Sequence, residues 1–493
     1  MSPVSRRKFL KKSAALGALA AAGGAARDEQ KRRPAAVQPA RRGSNDTIRV
    51  GVAGIHGQGK GHIGAYLNMK NVEVAYLIDP DAGLFAERGK QVEDKLGRRP
   101  KCVQDVRKAL DDRNLDAISI ATPNHWHSLM TIWACQAGKD VYVEKPMSHN
   151  LHEGRVVVQA ARRYKRIVQH GTQNRSNQGW AKVIAAIKSG KLGKLLVARG
   201  LCYKSGGGRS TRGDIGFAPH KPPPPELDFN LWLGPAPDQP YHENLVHYRW
   251  HWFWDFGNGD LGNQGVHQMD VARWGIDGAT LPRSVISFGG RLGYLDQAEA
   301  ASTEVAVMDF GDAQLIFETR GLKSNSYQGV GIGNVFHLEA GTIIEHKFFP
   351  KDSKEPAPLP EVEYHLGPGS GPFGNFIAAV RSRKPSDLNA EALEGHYSSA
   401  LCHLANISVR LGGKIPFQPR TRAFDDNQDA YDALVRTEQH LADNGVNLEQ
   451  SGYTLGRRLM VDAGTERIVN DGEGNAMLTR YYREPFVVPD ELA

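Results

Sequence analysis

From Thr47 onward, short apolar runs alternate with glycine-rich turns and helical stretches. Few folds accommodate that order. Ile48 to Ala53 is a β-type run, Gly54-Ile55-His56-Gly57-Gln58-Gly59 turns the chain, and Ile63 to Asn68 starts a helix. A second run, Val72 to Ile78, ends in Asp79. This predicts a βαβ unit whose glycines bring the backbone close to a diphosphate at a helix N-terminus, while the acidic residue accepts hydrogen bonds from a ribose. His56 stands where the middle glycine of G-x-G-x-x-G belongs, so Gly57 is expected to provide the close approach. Asp79-Pro80-Asp81 offers two carboxylates and no arginine to a 2′-phosphate, which favours NAD over NADP.

The alternation continues with strands over Asp116 to Thr122 and Asp140 to Glu144 and helices at Asp105 to Leu110 and Ser128 to Ala137. Such order implies a doubly wound, mostly parallel sheet with ligands at the carboxyl ends of its strands. Thr122-Pro123-Asn124-His125-Trp126-His127 and Glu144-Lys145-Pro146 fall at such ends. With 493 residues the chain is about three times a common domain size, so more than one domain is expected. After residue 172, β-type runs dominate, among them Leu195 to Arg199, Ser284 to Phe288, Thr303 to Phe310 and Ala313 to Thr319.

The net charge of +8 lies entirely in residues 1–46, which hold eleven Lys and Arg against three acidic residues. The neutral remainder lacks the electrostatic footprint of a nucleic-acid binder. Ser5-Arg6-Arg7-Lys8-Phe9-Leu10-Lys11, followed by an Ala/Gly/Leu stretch to Ala26, resembles a twin-arginine export signal. It is too short and too glycine-rich for a membrane span. A periplasmic protein exported already folded is therefore expected, with residues 1–26 as signal and 27–46 as a basic tether. Four widely spaced cysteines show no zinc-ligand spacing, and no metal is expected.

Together, the glycine loop, Ala121-Thr122-Pro123-Asn124 with His127, and Glu144-Lys145-Pro146 resemble the Gfo/Idh/MocA family of NAD(P)-dependent oxidoreductases. The resemblance extends through Gly171-Thr172-Gln173, Leu227 to Pro235, Gly265-Val266-His267-Gln268-Met269-Asp270 and Asn375 to Arg383. It implies α/β plus α+β architecture: a Rossmann-like NAD-binding domain over 47–172, then a large open, mainly antiparallel sheet over 173–420 for substrate and self-association. Residues 421–493 are expected to be an extension packed on this body. A homodimer or homotetramer through the second sheet is implied, as is a carbohydrate or cyclitol substrate.

Hydride transfer at a secondary alcohol requires a group that takes the hydroxyl proton. Lys145 and His267 are the candidates, with Asn263 standing where many family members carry an aspartate. An amide there orients or binds but is no carboxylate base. The cofactor set is Gly54, His56, Gly57, Gln58, Gly59, Asp79, Thr122, Pro123, Asn124, His127, Glu144 and Lys145. Gln173, Arg175, Asp270 and Trp254 are candidate substrate contacts, the last from an aromatic run, Tyr248 to Trp254, of a kind that is more often a core strand. Two alternatives stand beside a dehydrogenase: a glycosidase that oxidises, eliminates and re-reduces its sugar on NAD, and a non-enzymatic periplasmic binding protein.

Overall fold

The computed structural model describes residues 46–204 and 212–492. The expected signal, the tether up to residue 45, and 205–211 lie outside the described residues.

Six parallel strands form the first sheet: β1 (Ile48–Ala53), β2 (Val72–Ile78), β3 (Lys101–Val103), β4 (Ala117–Ile120), β5 (Asp140–Val143) and β6 (Val168–His170). Their spatial order, β3-β2-β1-β4-β5-β6, is that of a dinucleotide-binding doubly wound sheet, in which the order of strand addition switches sides at the β1/β4 crevice. Helices α1 (Gln58–Leu67), α2 (Phe85–Leu96), α3 (Val106–Leu110), α4 (Asn124–Gln136) and α5 (Leu151–Arg163) connect them. β1 and β4 are buried along nearly their whole length, as continuous apolar runs between two helical layers must be. At the end of β1, Gly54 takes φ +79°, and a Cβ there would come within 2.5 Å of the Ala121 carbonyl oxygen. Glycine is therefore required for the two strand ends to meet.

After α6 (Gln178–Lys188) and β7 (Leu195–Tyr203) come the short α7 (Phe229–Leu233) and α8 (Val266–Gly275). Six further strands follow: β8 (Ser284–Gly290), β9 (Thr303–Asp309), β10 (Gln314–Arg320), β11 (Ile332–Leu338), β12 (Gly341–Ile344) and β13 (Lys347–Pro350). The chain then runs through α9 (Gly371–Ser382), α10 (Ala392–Arg410), β14 (Gly413–Pro416), α11 (Gln428–Asp443), β15 (Gly452–Leu455), β16 (Leu459–Asp462), β17 (Arg467–Ile468) and α12 (Gly472–Ala476). The second sheet is ordered β13-β12-β11-β7-β10-β9-β8-β15-β14, with β16 also on β8, and only β7 and β10 pair in parallel.

Its two faces alternate along each strand. Ala198, Val285, Ala306, Met308, Leu315 and Phe317 pack toward α8 and α10, while Val197, Ile286, Val305, Val307 and Ile316 pack with Leu434 and Leu441 of α11. Residues beyond 420 are thus more than an external appendage: β15 pairs with β8 and β14, and α11 covers the sheet face expected to be free for a partner subunit. The chain also returns to the first sheet, where Phe376 and Val380 of α9 pack with the β1 and β2 side chains, and Phe486 packs with Trp126 and Trp133. The Tyr248 to Trp254 run is not a strand. It forms a 3-10 turn over Arg249–Trp252, entered through Tyr248 at φ +79°.

Candidate active site

A cavity of about 630 Å³ runs along the carboxyl ends of the first sheet and under the second domain. One end is bounded by Gly54, His56, Gly57 and Gln58 after β1 and by Asp79 after β2; the other by Glu144, Lys145 and Gln173 after β5 and β6. Between them lie Thr122, Pro123, Asn124, Trp126 and His127 after β4. From the second domain come Lys204, Arg212, His247, Tyr248, Trp250, His251, Asn263, Gln264 and His267. The two elements joining at Gly265, a π-helical turn over Leu261–Gly265 and α8, bring Asn263, Gln264 and His267 to the wall.

At the glycine loop, a Cβ on Gly57 would meet nothing within 4 Å, so the space before the first turn of α1 is open. The first N–H groups of a helix have no intrahelical acceptor, which suits that space to a diphosphate. His56 does not fill it. Its ring stacks on His247 with centroids 4.1 Å apart, and His247 Nε2 lies 2.9 Å from Asp81 Oδ2. Asp79 accepts the N–H groups of Ile55 at 2.8 Å and Asp81 at 3.0 Å, and burial pushes its carboxyl up to about 6 against those bonds. Thr122 Oγ1 and Asn124 Oδ1 are buried without a hydrogen-bond partner among the described residues, as polar atoms awaiting a ligand would be. These residues fit a dinucleotide.

At the other end, Glu144 Oε1 lies 3.1 Å from His62 Nε2 and accepts from Gln173 Nε2 at 3.3 Å. His62 Nδ1 is 2.9 Å from Ser119 Oγ, which accepts the Tyr66 hydroxyl at 3.1 Å. The consistent proton order is Tyr66 to Ser119 to His62 to Glu144. Burial opposes ionisation of Glu144, yet the His62 hydrogen bond and nearby positive charge hold its carboxyl at about 2. Next to it, the Lys145 amine donates to the Asn263 backbone carbonyl. Burial lowers its pKa, and Lys204 and Arg212 add to the shift against Glu144. Burial, with the Lys145 charge second, drives His267 down to about 3, so its half-buried imidazole is neutral at pH 7. Asn263 Nδ2 donates to the Tyr248 hydroxyl at 3.2 Å, making the amide a brace.

Residues 48–172 match the model of the Gfo/Idh/MocA oxidoreductase family's NAD-binding Rossmann fold, and residues 212–287 match that of its C-terminal α/β domain. Both stretches, 48–172 and 212–287, are thus similar to the Gfo/Idh/MocA oxidoreductase family. The chain is 28% identical over 161 residues to an inositol 2-dehydrogenase of Salmonella paratyphi B, covering 32% of this chain and 47% of that one. It is 26% identical over 203 residues to a glycosyl hydrolase family 109 protein of Shewanella pealeana, covering 39% and 44%. The chain thus spans about half the length of the curated relatives it matches. The crystal structure of the WlbA dehydrogenase from Bordetella pertussis, in complex with NADH and UDP-GlcNAcA, shares the fold with a TM-score of 0.53 at 22% identity, over 73% of this chain and 96% of that one.

The structure brings together Lys145, His267, Asn263, Gln173 and the strand-end residues, but four expected contacts lie elsewhere. Gly59 does not line this cavity: a Cβ there would fall 2.0 Å from the Gly54 carbonyl oxygen, so it serves the packing of the loop. Arg175 is buried behind the wall, its Nε donating to Asp270 Oδ1 at 2.9 Å, and Asp270 also accepts the Ser398 hydroxyl at 2.6 Å. Both are consumed by each other. Trp254 is turned away, its ring under the Arg410 guanidinium at 4.9 Å. His125 contacts the Trp232 carbonyl at 2.9 Å and His127 those of Pro146 and Thr122 at 2.6 and 2.8 Å, so His127 ties two strand-end loops together. Sequence reading missed Lys204, Arg212, His247 and Gln264, and marked Tyr248 and His251 only as members of the aromatic run. No motif marks them, since they come from irregular segments that only the fold gathers.

Proposed function

We propose that this protein is an NAD-dependent dehydrogenase acting on a secondary alcohol of a sugar, sugar derivative or cyclitol. The observation supporting this reading is that Lys145 and His267 line one end of the cavity whose other end is bounded by Gly57 and Asp79. NAD, when bound, supplies the hydride acceptor. The first turn of α1 and the Asp79 carboxylate would hold it, with Thr122 and Asn124 beneath. Lys145 hydrogen-bonds the reacting hydroxyl and fixes its orientation. His267, neutral at working pH, takes the hydroxyl proton on an imidazole nitrogen as the C–H bond breaks, and returns it to water after release. Asn263 and Tyr248 keep Lys145 in place.

With purified protein, NAD and a panel of sugars and inositols, absorbance should report nicotinamide reduction. Lys145→Ala should lower kcat by about 100-fold or more. Full activity in that variant refutes the role. A second reading, redox-neutral glycoside cleavage, draws on the likeness to the glycosyl hydrolase family 109 protein. Aglycone release without net NADH would select it. Protein that neither binds NAD nor turns over any sugar would point instead to a binding protein.

Periplasmic delivery in the folded state is part of the proposal, supported by the Arg6-Arg7 signal pattern and tested by cell fractionation with and without the paired arginines. So is homodimer or homotetramer assembly through the large sheet, tested by light scattering.

A further inference from the structure

Five histidines line the cavity: His56, His127, His247, His251 and His267. Three of them are committed within the chain. His56 is stacked on His247, His247 Nε2 is held by Asp81, and His127 has both ring nitrogens against backbone carbonyls. His267 takes the hydroxyl proton. His251 is left over, and its ring is held in one orientation. The Tyr248 carbonyl accepts from Nδ1 and also from the His251 backbone N–H at 3.3 Å. A carbonyl oxygen has no proton to give, so Nδ1 carries the hydrogen of the neutral ring and Nε2 keeps its lone pair. Trp250 stacks on the ring, with centroids 3.6 Å apart and planes 18° apart. Burial lowers the pKa of His251 well below 6.5 against the Tyr248 hydrogen bond, and the charge of Lys145 adds to the shift. The imidazole is therefore an acceptor at working pH. Among the described residues nothing donates to Nε2, and the residue, 7% exposed, lies on the cavity wall. An acceptor left without a donor in so closed a place is costly.

We infer that His251 Nε2 accepts a hydrogen bond from a second hydroxyl of the substrate, one that is not oxidised, and makes the site selective for a donor at that position. The inference rests on the dehydrogenase reading above and adds a contact that chooses among its substrates. Lys145 is a charged neighbour of both His251 and His267, so the two neutral rings face the same region of the cavity. One ring serves the reacting hydroxyl and the other a hydroxyl elsewhere on the same molecule. A nitrogen that bears a lone pair repels an ether or carboxylate oxygen and gains nothing from a deoxygenated carbon. A hydroxyl is the donor that an unmodified sugar or cyclitol offers there, and a site built for it discriminates against the analogue that lacks it.

The test uses the full chain loaded with NAD. D-glucose, D-galactose and myo-inositol are each compared with their monodeoxy and mono-O-methyl derivatives by the kcat/KM of nicotinamide reduction. At one position other than the oxidised carbon, both kinds of derivative should lose about 10- to 100-fold, because each removes the donor. His251→Phe keeps the stacking on Trp250 and has no lone pair. It should lower kcat/KM for the parent by a similar factor and add no further loss for those derivatives. His251→Gln, whose amide oxygen still accepts, should recover part of the parent's activity. NAD binding reports that both variants are folded, and the series on the unaltered protein decides the matter if either is not. A merely structural ring would lower parent and derivatives alike. That result, or the absence of any such position in the unaltered protein, overturns this inference while hydride transfer leaves the dehydrogenase standing. No nicotinamide reduction with any of these sugars overturns both.

Discussion

Asp79 shows how one side chain's surroundings set a measurable property of the site. Burial raises its carboxyl to about 6, above the ordinary 3.8, even though two backbone N–H groups favour the anion. A carboxylate can accept from both ribose hydroxyls, whereas the protonated form loses acceptor capacity. NAD affinity should therefore be constant above pH 7 and fall by up to about tenfold per unit below pH 6. Fluorescence titration across pH measures it, and Asp79→Asn should flatten the profile. The sign for folding follows from the same shift: the raised pKa favours the protonated native state, so this group's contribution declines as pH rises from about 4 to about 6. Glu144 behaves oppositely, its carboxyl being held near 2. Its contribution is present above the ordinary 4.5 and is lost as pH falls toward 2. In His62→Ala the acid-unfolding midpoint should move to higher pH, read by circular dichroism. An unmoved midpoint would show that His62 does not anchor Glu144.

At the scale of elements, α8 decides whether His267 is presented correctly. Asp270, one turn on, is fully buried and holds Arg175, while Arg175 and Arg273 both reach Glu394 at the start of α10. This cluster ties α8 to the segment after β6 and to α10. Asp270→Ala leaves a buried guanidinium without its main partner and should cost about 3–5 kcal/mol in denaturant unfolding. A loss below 1 kcal/mol would show the cluster to be weakly coupled. Spacing revealed Asp270 beside His267 but could not reveal which way it faces, because a helix places i+3 neighbours on one side without fixing which layer that side meets.

Across the whole molecule, the distal part of the chain holds the two sheets in one body. α11 seals a face of the large sheet with Leu434 and Leu441, both at 0% exposure. Leu434→Ala should lower stability by about 2–5 kcal/mol. A chain ending at residue 420 loses β15, β16 and this cover, exposing Ile286, Val305, Val307 and Ile316 together. It should be recovered as aggregate. A soluble, NAD-binding truncation would make the extension dispensable.

The first domain was readable because its signals are local. A strand, a glycine forced into positive φ, a helix N-terminus and an acidic strand end occupy consecutive stretches, so Gly54, Gly57, Asp79, Thr122 and Lys145 reach one crevice once the sheet forms. His267 was legible only through its motif. By itself the sequence determined the doubly wound half, the preference for NAD and the residues at the strand ends. Tertiary structure alone decided that His56 leans on His247 and leaves the diphosphate space open, and that Arg175 and Asp270 are spent on each other. It also decided that Lys204 and Arg212 join Lys145 at the site. These outcomes depend on contacts between segments far apart in the chain, made when two sheets close over one cavity, and no local pattern encodes the direction in which such side chains point.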